Sequence, residues 1–136
     1  MLLGFEHVGI TVSDLDRSLQ FYCDLIGMKL ILRKTMPRGS GELAFVDMGN
    51  GQLELVCPSP AVVTPAAALE PTRAGIRHLT LAFTDIDATY AKLIAAGAPS
   101  IEPPRDAHNR EILARVAFLS DPDGNVIELA QRQSQR

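Results

Sequence analysis

The residues and patterns that this sequence lacks exclude several classes of protein. The 136 residues include no Trp and two Cys, and two cysteines are too few for a disulfide framework. No apolar stretch approaches the roughly 20 residues that a membrane-spanning helix needs. The opening residues MLLGFE lack the basic flank and long apolar run of a signal peptide. We therefore expect a cytoplasmic protein that does not act at a membrane.

The charge is weakly negative and scattered along the chain. There are 13 Lys and Arg against 16 Asp and Glu, which gives a formal net charge of −3. The sequence has no Lys/Arg cluster, which argues against nucleic acid as a partner. With 46% hydrophobic and 21% charged residues, the composition is that of a globular protein, and the length fits a single domain over residues 1–136.

The sequence contains an internal repeat. One segment reads HVGITVSDLDRSLQFYCDLIG at 7–27, and the other reads HLTLAFTDIDATYAKLIAAG at 78–97. Their opening histidines and their first aspartates are separated by the same 71 positions (78 − 7 and 85 − 14). A second pair of similar segments lies downstream, AFVDMGNGQLEL at 44–55 and AFLSDPDGNVIEL at 117–129. This period is too long for a solenoid, so it indicates two copies of one supersecondary unit.

Each copy begins with an alternating strand, over 6–12 and over 78–83, and a helix with an apolar stripe follows. The helices are predicted to start at Ser13 or Asp14 and at Thr84 or Asp85, and to end at Gly27 and Gly97. Further strands are predicted at 28–33, 42–48, 52–57, 113–119 and 125–130.

The remaining segments are predicted to be irregular. The proline-rich stretch 58–77 is interpreted as a connector between module one (about 5–57) and module two (about 78–131). Residues 99–110 are predicted to form a loop, and the polar tail from Arg132 is predicted to fray.

Polar residues recur on the strand faces that should point away from the helices. His7 and Glu54 occupy these faces in module one, and His78 and Glu128 occupy them in module two. If the modules pack as pseudo-symmetric partners, two imidazoles and two carboxylates meet in a common cleft. That donor set suits one divalent first-row metal ion, namely Zn²⁺, Ni²⁺, Co²⁺, Mn²⁺ or Fe²⁺.

His7 with GITVSDLDRSLQFYCDLIGMKL, together with FLSDPDGNVIEL near the end, resembles the vicinal oxygen chelate superfamily, which includes glyoxalase I, bleomycin resistance proteins and extradiol dioxygenases. The resemblance covers nearly the whole chain. It implies an α+β fold of two tandem βαβββ modules, whose curved mixed sheets enclose a metal-binding cleft. It also implies a homodimer, with the cleft formed within one chain or across two, and its ligand positions fall on His7, Glu54, His78 and Glu128.

The ligand set is similar to that of glyoxalase I and its relatives, and the pattern MP…FVDMGN…LELVCP is similar to methylmalonyl-CoA epimerase. The resemblance therefore implies a lyase or isomerase that transfers a proton next to a carbonyl through a metal-bound enediolate, with Glu54 and Glu128 as catalytic acid/base groups. Three alternatives stay open: an epimerase, an extradiol-type dioxygenase, and a small-molecule binding protein without catalysis. Because ring-cleaving dioxygenases usually lack a ligand at the position of Glu54, that residue favours proton transfer over oxygen chemistry.

The sequence does not identify the substrate. Thr11 and Pro58 replace residues that hold glutathione in glyoxalase I, and Arg38 stands where epimerases carry a second catalytic Glu. An oxo acid, a thiohemiacetal or an acyl thioester fits the chemistry. Arg38, Arg105 and Arg110 lie on predicted loops and are candidates for holding an anionic group of such a substrate.

Overall fold

The computed structural model describes residues 1–62, 72 and 74–133. The described residues form two compact units, unit one up to residue 62 and unit two from residue 72. The predicted connector 58–77 lies partly outside the described residues, as do the last three residues of the tail. The module boundaries and the single-domain assignment therefore stay predictions.

Unit one is a four-stranded mixed sheet with one helical segment. The strand order is β1-β4-β3-β2, with β1 parallel to β4 and the other neighbours antiparallel. The elements are β1 (His7–Thr11), α1 (Leu15–Leu19) with a π-helical continuation (Gln20–Leu25), β2 (Lys29–Thr35), a 3-10 turn (Pro37–Gly39), β3 (Gly41–Asp47) and β4 (Gln52–Pro58).

Unit two repeats this arrangement. The strand order is β5-β8-β7-β6, with β5 parallel to β8 and the other neighbours antiparallel. The elements are β5 (Leu79–Ala82), α2 (Ile86–Ala95), β6 (Ser100–Asp106), β7 (Leu113–Ser120) and β8 (Val126–Arg132). The prediction of an α+β fold built from two βαβββ modules is confirmed.

The helix boundaries follow local chemistry. Asp14 and Asp85 cap α1 and α2, since each carboxylate accepts a hydrogen bond from the backbone N–H three residues later, at 3.1 and 3.0 Å. Gly27 and Gly97 follow the helical segments at φ of +102° and +101°, a conformation that glycine adopts without a Cβ clash. In the part of the chain that the structure describes, no helix is long and apolar enough to cross a membrane.

The core of each unit lies between its helix and one face of its sheet. Leu53 and Leu55 in β4, like Ile127 and Leu129 in β8, are completely buried. Burial of such a side chain stabilises the fold by about 1.5–3 kcal/mol. The helices contribute the buried side chains Leu15, Phe21, Tyr22, Ile86 and Leu93. The opposite face of each sheet is therefore free to carry polar groups.

The prediction of a loop over 99–110 is wrong for its first part, because β6 occupies 100–106. Pro103 and Pro104 hid this strand, since proline cannot donate a ladder hydrogen bond. β6 is an edge strand, where a missing donor is tolerated, and its pairing with β7 shifts register on both sides of Glu102.

An arginine in unit one joins the helix to the outer strands. Arg33 of β2 contacts Asp16 in the first turn of α1 at 2.8 Å and Glu42 of β3 at 3.1 Å. We call this trio the arginine clamp of unit one. It ties the start of the helix to strands on the far side of the sheet.

Unit two has an arginine clamp as well, although its arginine comes from a different strand. Arg115 of β7 contacts Asp87 in the first turn of α2 at 2.7 Å and Asp106 of β6 at 3.1 Å. The arginine therefore lies on the outermost strand in unit one and on the neighbouring strand in unit two. The hydrogen bonds from Arg115 hold the pKa of Asp87 below its usual value.

Candidate functional site

Two turns set the start of the strands that carry the predicted carboxylates. Before β4, Asp47 accepts a hydrogen bond from the backbone N–H of Gly49 at 3.1 Å. Before β8, the buried carboxylate of Asp121 accepts hydrogen bonds from the backbone N–H groups of Asp123 and Asn125 at 2.9 and 2.8 Å. These contacts fix where each strand begins, and so which face its glutamate occupies.

The strand register confirms the predicted faces. In the β1–β4 pair, Gly9 lies opposite Glu54, so His7, two residues earlier, shares a face with that carboxylate. In the β5–β8 pair, Thr80 lies opposite Glu128, and His78 precedes it by two positions. Both polar faces are turned away from the buried leucines of the same strands.

The first half-site consists of His7 and Glu54. The Nε2 atom of His7 lies 3.9 Å from Oε1 of Glu54, and the two side chains are 35% and 25% exposed. The Phe45 ring meets the imidazole edge to face, with centroids 5.2 Å apart. On the other side, Nδ1 of His7 lies 3.4 Å from a carboxylate oxygen of Glu6.

The second half-site consists of His78 and Glu128. Here Nε2 lies 3.1 Å from Oε1, and the side chains are 24% and 12% exposed. Phe118 meets the imidazole edge to face at 5.5 Å, as Phe45 does in the first half-site. The Thr80 hydroxyl donates a hydrogen bond to Oε1 of Glu128 at 2.6 Å, and this contact has no counterpart at Gly9.

Sequence reasoning missed the roles of the two phenylalanines and of Thr80. The sequence does contain a signal for Phe45 and Phe118, because an Ala-Phe pair occurs at equivalent positions of the two repeats. The alternation of β5 places Thr80 on the same face as His78. Its hydrogen bond to Glu128, however, joins two residues that are 48 positions apart in sequence, and it depends on how β5 and β8 are aligned.

The donor atoms suit a divalent metal ion. Two ligands about 2.1 Å from an ion and 90° apart lie about 3.0 Å from each other, close to the 3.1 Å between His78 and Glu128. The 3.9 Å separation in the first half-site is wider and calls for a small side-chain rotation. No group of three or more His, Cys, Asp or Glu side chains that could hold a metal occurs among the described residues. Each half-site thus offers two donors.

The three arginines predicted to bind substrate differ in their surroundings. Arg105 donates from Nε to Glu102 at 2.5 Å, and Arg110 lies 3.5 Å from Asp106, so both cations face a carboxylate. Arg38 is exposed and has a left-handed backbone with φ of 61°, which is uncommon for a residue other than glycine. A role in substrate binding stays a prediction for all three.

The two cysteines and His108 are further candidate reactive groups among the described residues. Cys57 pairs with Glu42 across the β3–β4 ladder and faces away from Glu54. Burial and the nearby Asp24 raise the pKa of the Cys23 thiol, which disfavours a reactive thiolate. His108 is exposed between β6 and β7.

The matched half-sites lead to a comparison with known families. Residues 4–129 match the profile of the Glyoxalase/Bleomycin resistance protein/Dioxygenase superfamily. The chain belongs to this superfamily. Members of this glyoxalase superfamily typically use a divalent metal, which agrees with the donor set of the half-sites.

Individual relatives agree with this assignment. The chain is 36% identical over 135 residues to a probable lactoylglutathione lyase of Synechocystis sp., with 96% of each chain covered. The crystal structure of SMU.1112c, a protein 30% identical in sequence, superposes with a TM-score of 0.79 and covers 96% of this chain and 99% of that chain. TnmS3, an antibiotic binding protein of Streptomyces sp. CB03234, is 28% identical at a TM-score of 0.69, with 97% and 98% covered. Proteins similar to this chain thus include one named as a probable lyase and one named as an antibiotic binding protein.

Proposed function

We propose that this protein is a metal-dependent lyase or isomerase of the glyoxalase I type. The observation that carries the proposal is the repeated pair of an imidazole and a carboxylate, at equivalent positions on the polar face of each sheet. The similarity to a probable lactoylglutathione lyase supports an enzyme of the glyoxalase family. A protein that only enclosed an apolar ligand would have no need of the same donor pair in both units.

His7, Glu54, His78 and Glu128 would hold the ion. When bound, a divalent metal acts as a Lewis acid that polarises a carbonyl oxygen and makes the neighbouring C–H group more acidic. The donor types are compatible with Zn²⁺, Ni²⁺, Co²⁺, Mn²⁺ or Fe²⁺. The imidazoles are held in orientation by Phe45 and Phe118, which favours a preorganised site.

Glu54 and Glu128 are the proposed acid/base groups. A carboxylate takes the proton from the carbon next to the carbonyl, and the electron pair of that C–H bond shifts toward the carbonyl oxygen. In a thiohemiacetal, the resulting carboxylic acid then returns the proton to the former carbonyl carbon, while the hydroxyl proton of the substrate passes to the former carbonyl oxygen, so the substrate is isomerised and the enzyme is unchanged. Both glutamates lie on partly sheltered faces, where water competes less for the proton.

We propose that the site is assembled in a homodimer in the cytoplasm. A half-site supplies two protein donors, so two half-sites together would supply four donors to a divalent first-row metal ion. Pairing unit one of one chain with unit two of its partner would bring four donors together twice in each dimer. A closed twofold arrangement of this kind is the commonest form of homo-oligomer.

The proposed substrate is a small oxo acid, thiohemiacetal or acyl thioester. Arg38 is the favoured residue for an anionic group of such a molecule. Among the described residues it forms no hydrogen bond or ion pair, whereas Arg105 and Arg110 each face a carboxylate. Its exposed guanidinium can therefore donate two parallel hydrogen bonds to a carboxylate or a phosphate.

The experiment that tests this proposal combines elemental analysis with solvent deuterium exchange. We expect about one divalent metal per chain, and metal-dependent exchange of the proton next to the carbonyl in a panel of 2-oxo thiohemiacetals and acyl thioesters. Glu54→Gln should remove exchange. Glu42→Gln is the matched control, because Glu42 lies on the neighbouring strand and on the opposite face. Deuterium exchange at a stereocentre that inverts the configuration but leaves the bonding of the substrate unchanged would identify the epimerase alternative.

A small-molecule binding protein is the second candidate, since TnmS3, an antibiotic binding protein, shares this fold at 28% identity. Stoichiometric metal without any deuterium exchange, together with tight binding of one member of the panel, would favour this candidate. Consumption of oxygen by the Fe²⁺ form in the presence of a catechol would instead favour the dioxygenase alternative.

A further inference from the structure

The outer strand of unit one carries a cation on the same sheet face as the first half-site. Lys34 of β2 lies opposite Leu43 of β3, and Leu43 lies opposite Val56 of β4. Since Val56 follows Glu54 by two positions, the side chains of this row share the face of Glu54. Lys34 is exposed, and no ion pair or side-chain hydrogen bond of Lys34 is found in the part of the chain that the structure describes.

The repeat places a second cation at the equivalent position of unit two. Arg105 of β6 lies opposite Val116 of β7, and Val116 lies opposite Ala130 of β8. Because Ala130 follows Glu128 by two positions, Arg105 is placed relative to the second half-site as Lys34 is placed relative to the first. A positive charge at this position is therefore common to both units, like the donor pairs themselves.

A shift in strand register puts Lys34 on this face. Early in β2, Leu30 lies opposite Val46, which is completely buried on the helix side of the sheet. The register then shifts, and Leu32 lies opposite Phe45 on the half-site face. An irregularity of this kind turns the side chains that follow it toward the other face of the sheet. Without the shift, Lys34 would lie on the helix side.

The two cations differ in one neighbour. In unit two, Glu102 lies opposite Phe118, and its carboxylate lies 2.5 Å from Nε of Arg105. In unit one, the position opposite the equivalent phenylalanine holds Leu32, which carries no charge. The guanidinium of Arg105 is therefore neutralised within its own sheet, whereas the ammonium group of Lys34 is left to bind an anion.

We propose that Lys34 binds the anionic end of the substrate and so determines which substrates the protein accepts. This inference rests on the proposed function and extends it from the reacting carbons to the far end of the molecule. Leu43 and Val56 are both half-buried and lie between Glu54 and the edge strand that carries Lys34. The face of unit one thus offers metal donors, then an apolar strip, and then a positive charge.

The spacing of the sheet sets the length of that molecule. Glu54 and Lys34 are two strands and two residues apart. This corresponds to about 12 Å between their Cα atoms, at about 4.8 Å per strand and about 3.4 Å per residue. A carboxylate bonded directly to the carbonyl carbon stays beside the donors and does not reach the edge strand. We therefore expect a thiohemiacetal or acyl thioester whose thiol portion has an apolar chain that ends in a carboxylate or phosphate.

Lys34 and Arg38 are distinguishable as anion-binding residues. Pairing with Leu43 holds Lys34 at one place on the sheet, whereas Arg38 lies on the turn Pro37–Gly39 that follows the strand. A chain that lies along the apolar strip reaches the edge strand before it reaches the turn. We therefore expect Lys34→Met to remove more of the preference for an anionic substrate than Arg38→Met does.

Binding of hydroxamates tests this inference without turnover. A hydroxamate offers two oxygen atoms to a divalent metal ion. Suberic acid monohydroxamate ends in a carboxylate, and its terminal amide is a neutral compound of the same length. With protein loaded with Ni²⁺ or Zn²⁺, we expect calorimetry to show about 5- to 10-fold tighter binding of the carboxylate, the range between an exposed ion pair and a hydrogen bond to a charged group. The preference should shrink as the salt concentration rises.

Matched variants assign that preference to Lys34. Lys34→Met should bring the two affinities together, whereas Lys29→Met removes the same charge from the start of β2 and should keep the preference. Leu32→Glu copies the neighbour that Arg105 has in unit two, so it should neutralise Lys34 and abolish the preference. Leu32→Gln adds a polar group without charge and should retain it. Thermal unfolding of each variant shows whether a loss of affinity reflects a loss of fold.

Three results would overturn the inference. The first is equal binding of the two hydroxamates by the wild-type protein, and the second is a preference that survives in Lys34→Met. The third is a preference that Arg38→Met removes and Lys34→Met leaves intact, which would move the anion site from the strand to the turn.

The outcomes also separate this inference from the proposed function. A preference for the carboxylate without deuterium exchange would leave Lys34 as a ligand-binding residue and refute the enzyme. Exchange with equal KM for the thiohemiacetals of mercaptohexanoic acid and mercaptohexanol would support the enzyme and refute the role of Lys34. If the wild-type protein binds no divalent metal and neither hydroxamate, both fail together.

Discussion

Removing one half-site from one chain and the other half-site from its partner tests where the proposed metal site is assembled. We consider two double variants, His7→Ala with Glu54→Ala and His78→Ala with Glu128→Ala. Each variant lacks one donor pair and keeps the other. If a site combines unit one of one chain with unit two of its partner, neither homodimer contains a complete set of four donors.

The heterodimer of these two variants has a different composition. One of its two sites combines both damaged halves, whereas the other combines both intact halves. We therefore expect the purified heterodimer to bind about one metal ion rather than two, and to show about half of the wild-type deuterium exchange, as twofold symmetry requires. A site built within one chain predicts no recovery in any mixture, because every chain then carries a damaged site.

The assay uses two affinity tags and co-expression, so that the heterodimer can be isolated from both homodimers. Metal content by elemental analysis is the main readout, since it does not depend on knowing the substrate. Circular dichroism and light scattering establish that each variant folds and associates. A folded, dimeric heterodimer with no more metal than its parent variants would refute assembly across two chains, and wild-type protein that stays monomeric at micromolar concentration would do the same.

Two further predictions concern the scaffold. Asp85→Ala should lower the free energy of unfolding by about 1 kcal/mol in urea denaturation, because it removes the hydrogen bond that caps α2; an unchanged urea midpoint would contradict this role. Arg115→Met should lower the melting temperature more at pH 6 than at pH 3. Contact with Arg115 lowers the pKa of Asp87 in the folded state. The stability that this contact contributes is therefore fully present above the usual pKa of 3.8. It is lost as the pH falls through the lower pKa of the folded state. A melting-temperature difference that does not change with pH would argue against this contact.

Local pattern was sufficient to predict most of the fold. Period-two alternation identified β1 and β5, and aspartate followed by an apolar stripe identified both helix starts, since these signals are carried by neighbouring residues. The strand β6 was missed because Pro103 and Pro104 interrupt its pattern, and only its position at the sheet edge makes those prolines acceptable. The π-helical continuation after α1 was also not predicted.

The sequence was sufficient to predict which strand faces carry the candidate donor residues, and their role as metal ligands stays a prediction. Alternation along each strand placed His7 and Glu54 on polar faces, and the repeat drew attention to their counterparts. The hydrogen bond from Thr80 to Glu128 joins residues far apart in sequence, so it depends on a strand register that local pattern does not specify. The carboxylate partner of Arg105 was missed for a related reason, because Glu102 lies on a strand that was taken for a loop.

The two arginine clamps have a consequence for comparing the halves residue by residue. Position 42 in β3 corresponds to position 115 in β7, yet one holds Glu and the other Arg. The opposite charge has moved as well, so that each helix start is still tied to its own sheet. Replacing a residue of one half by its counterpart from the other half would therefore disrupt the arginine clamp. For example, Glu42→Arg would place a second guanidinium group beside that of Arg33. The two halves thus keep a contact between the start of the helix and the sheet, although the arginine that makes it comes from a different strand in each half.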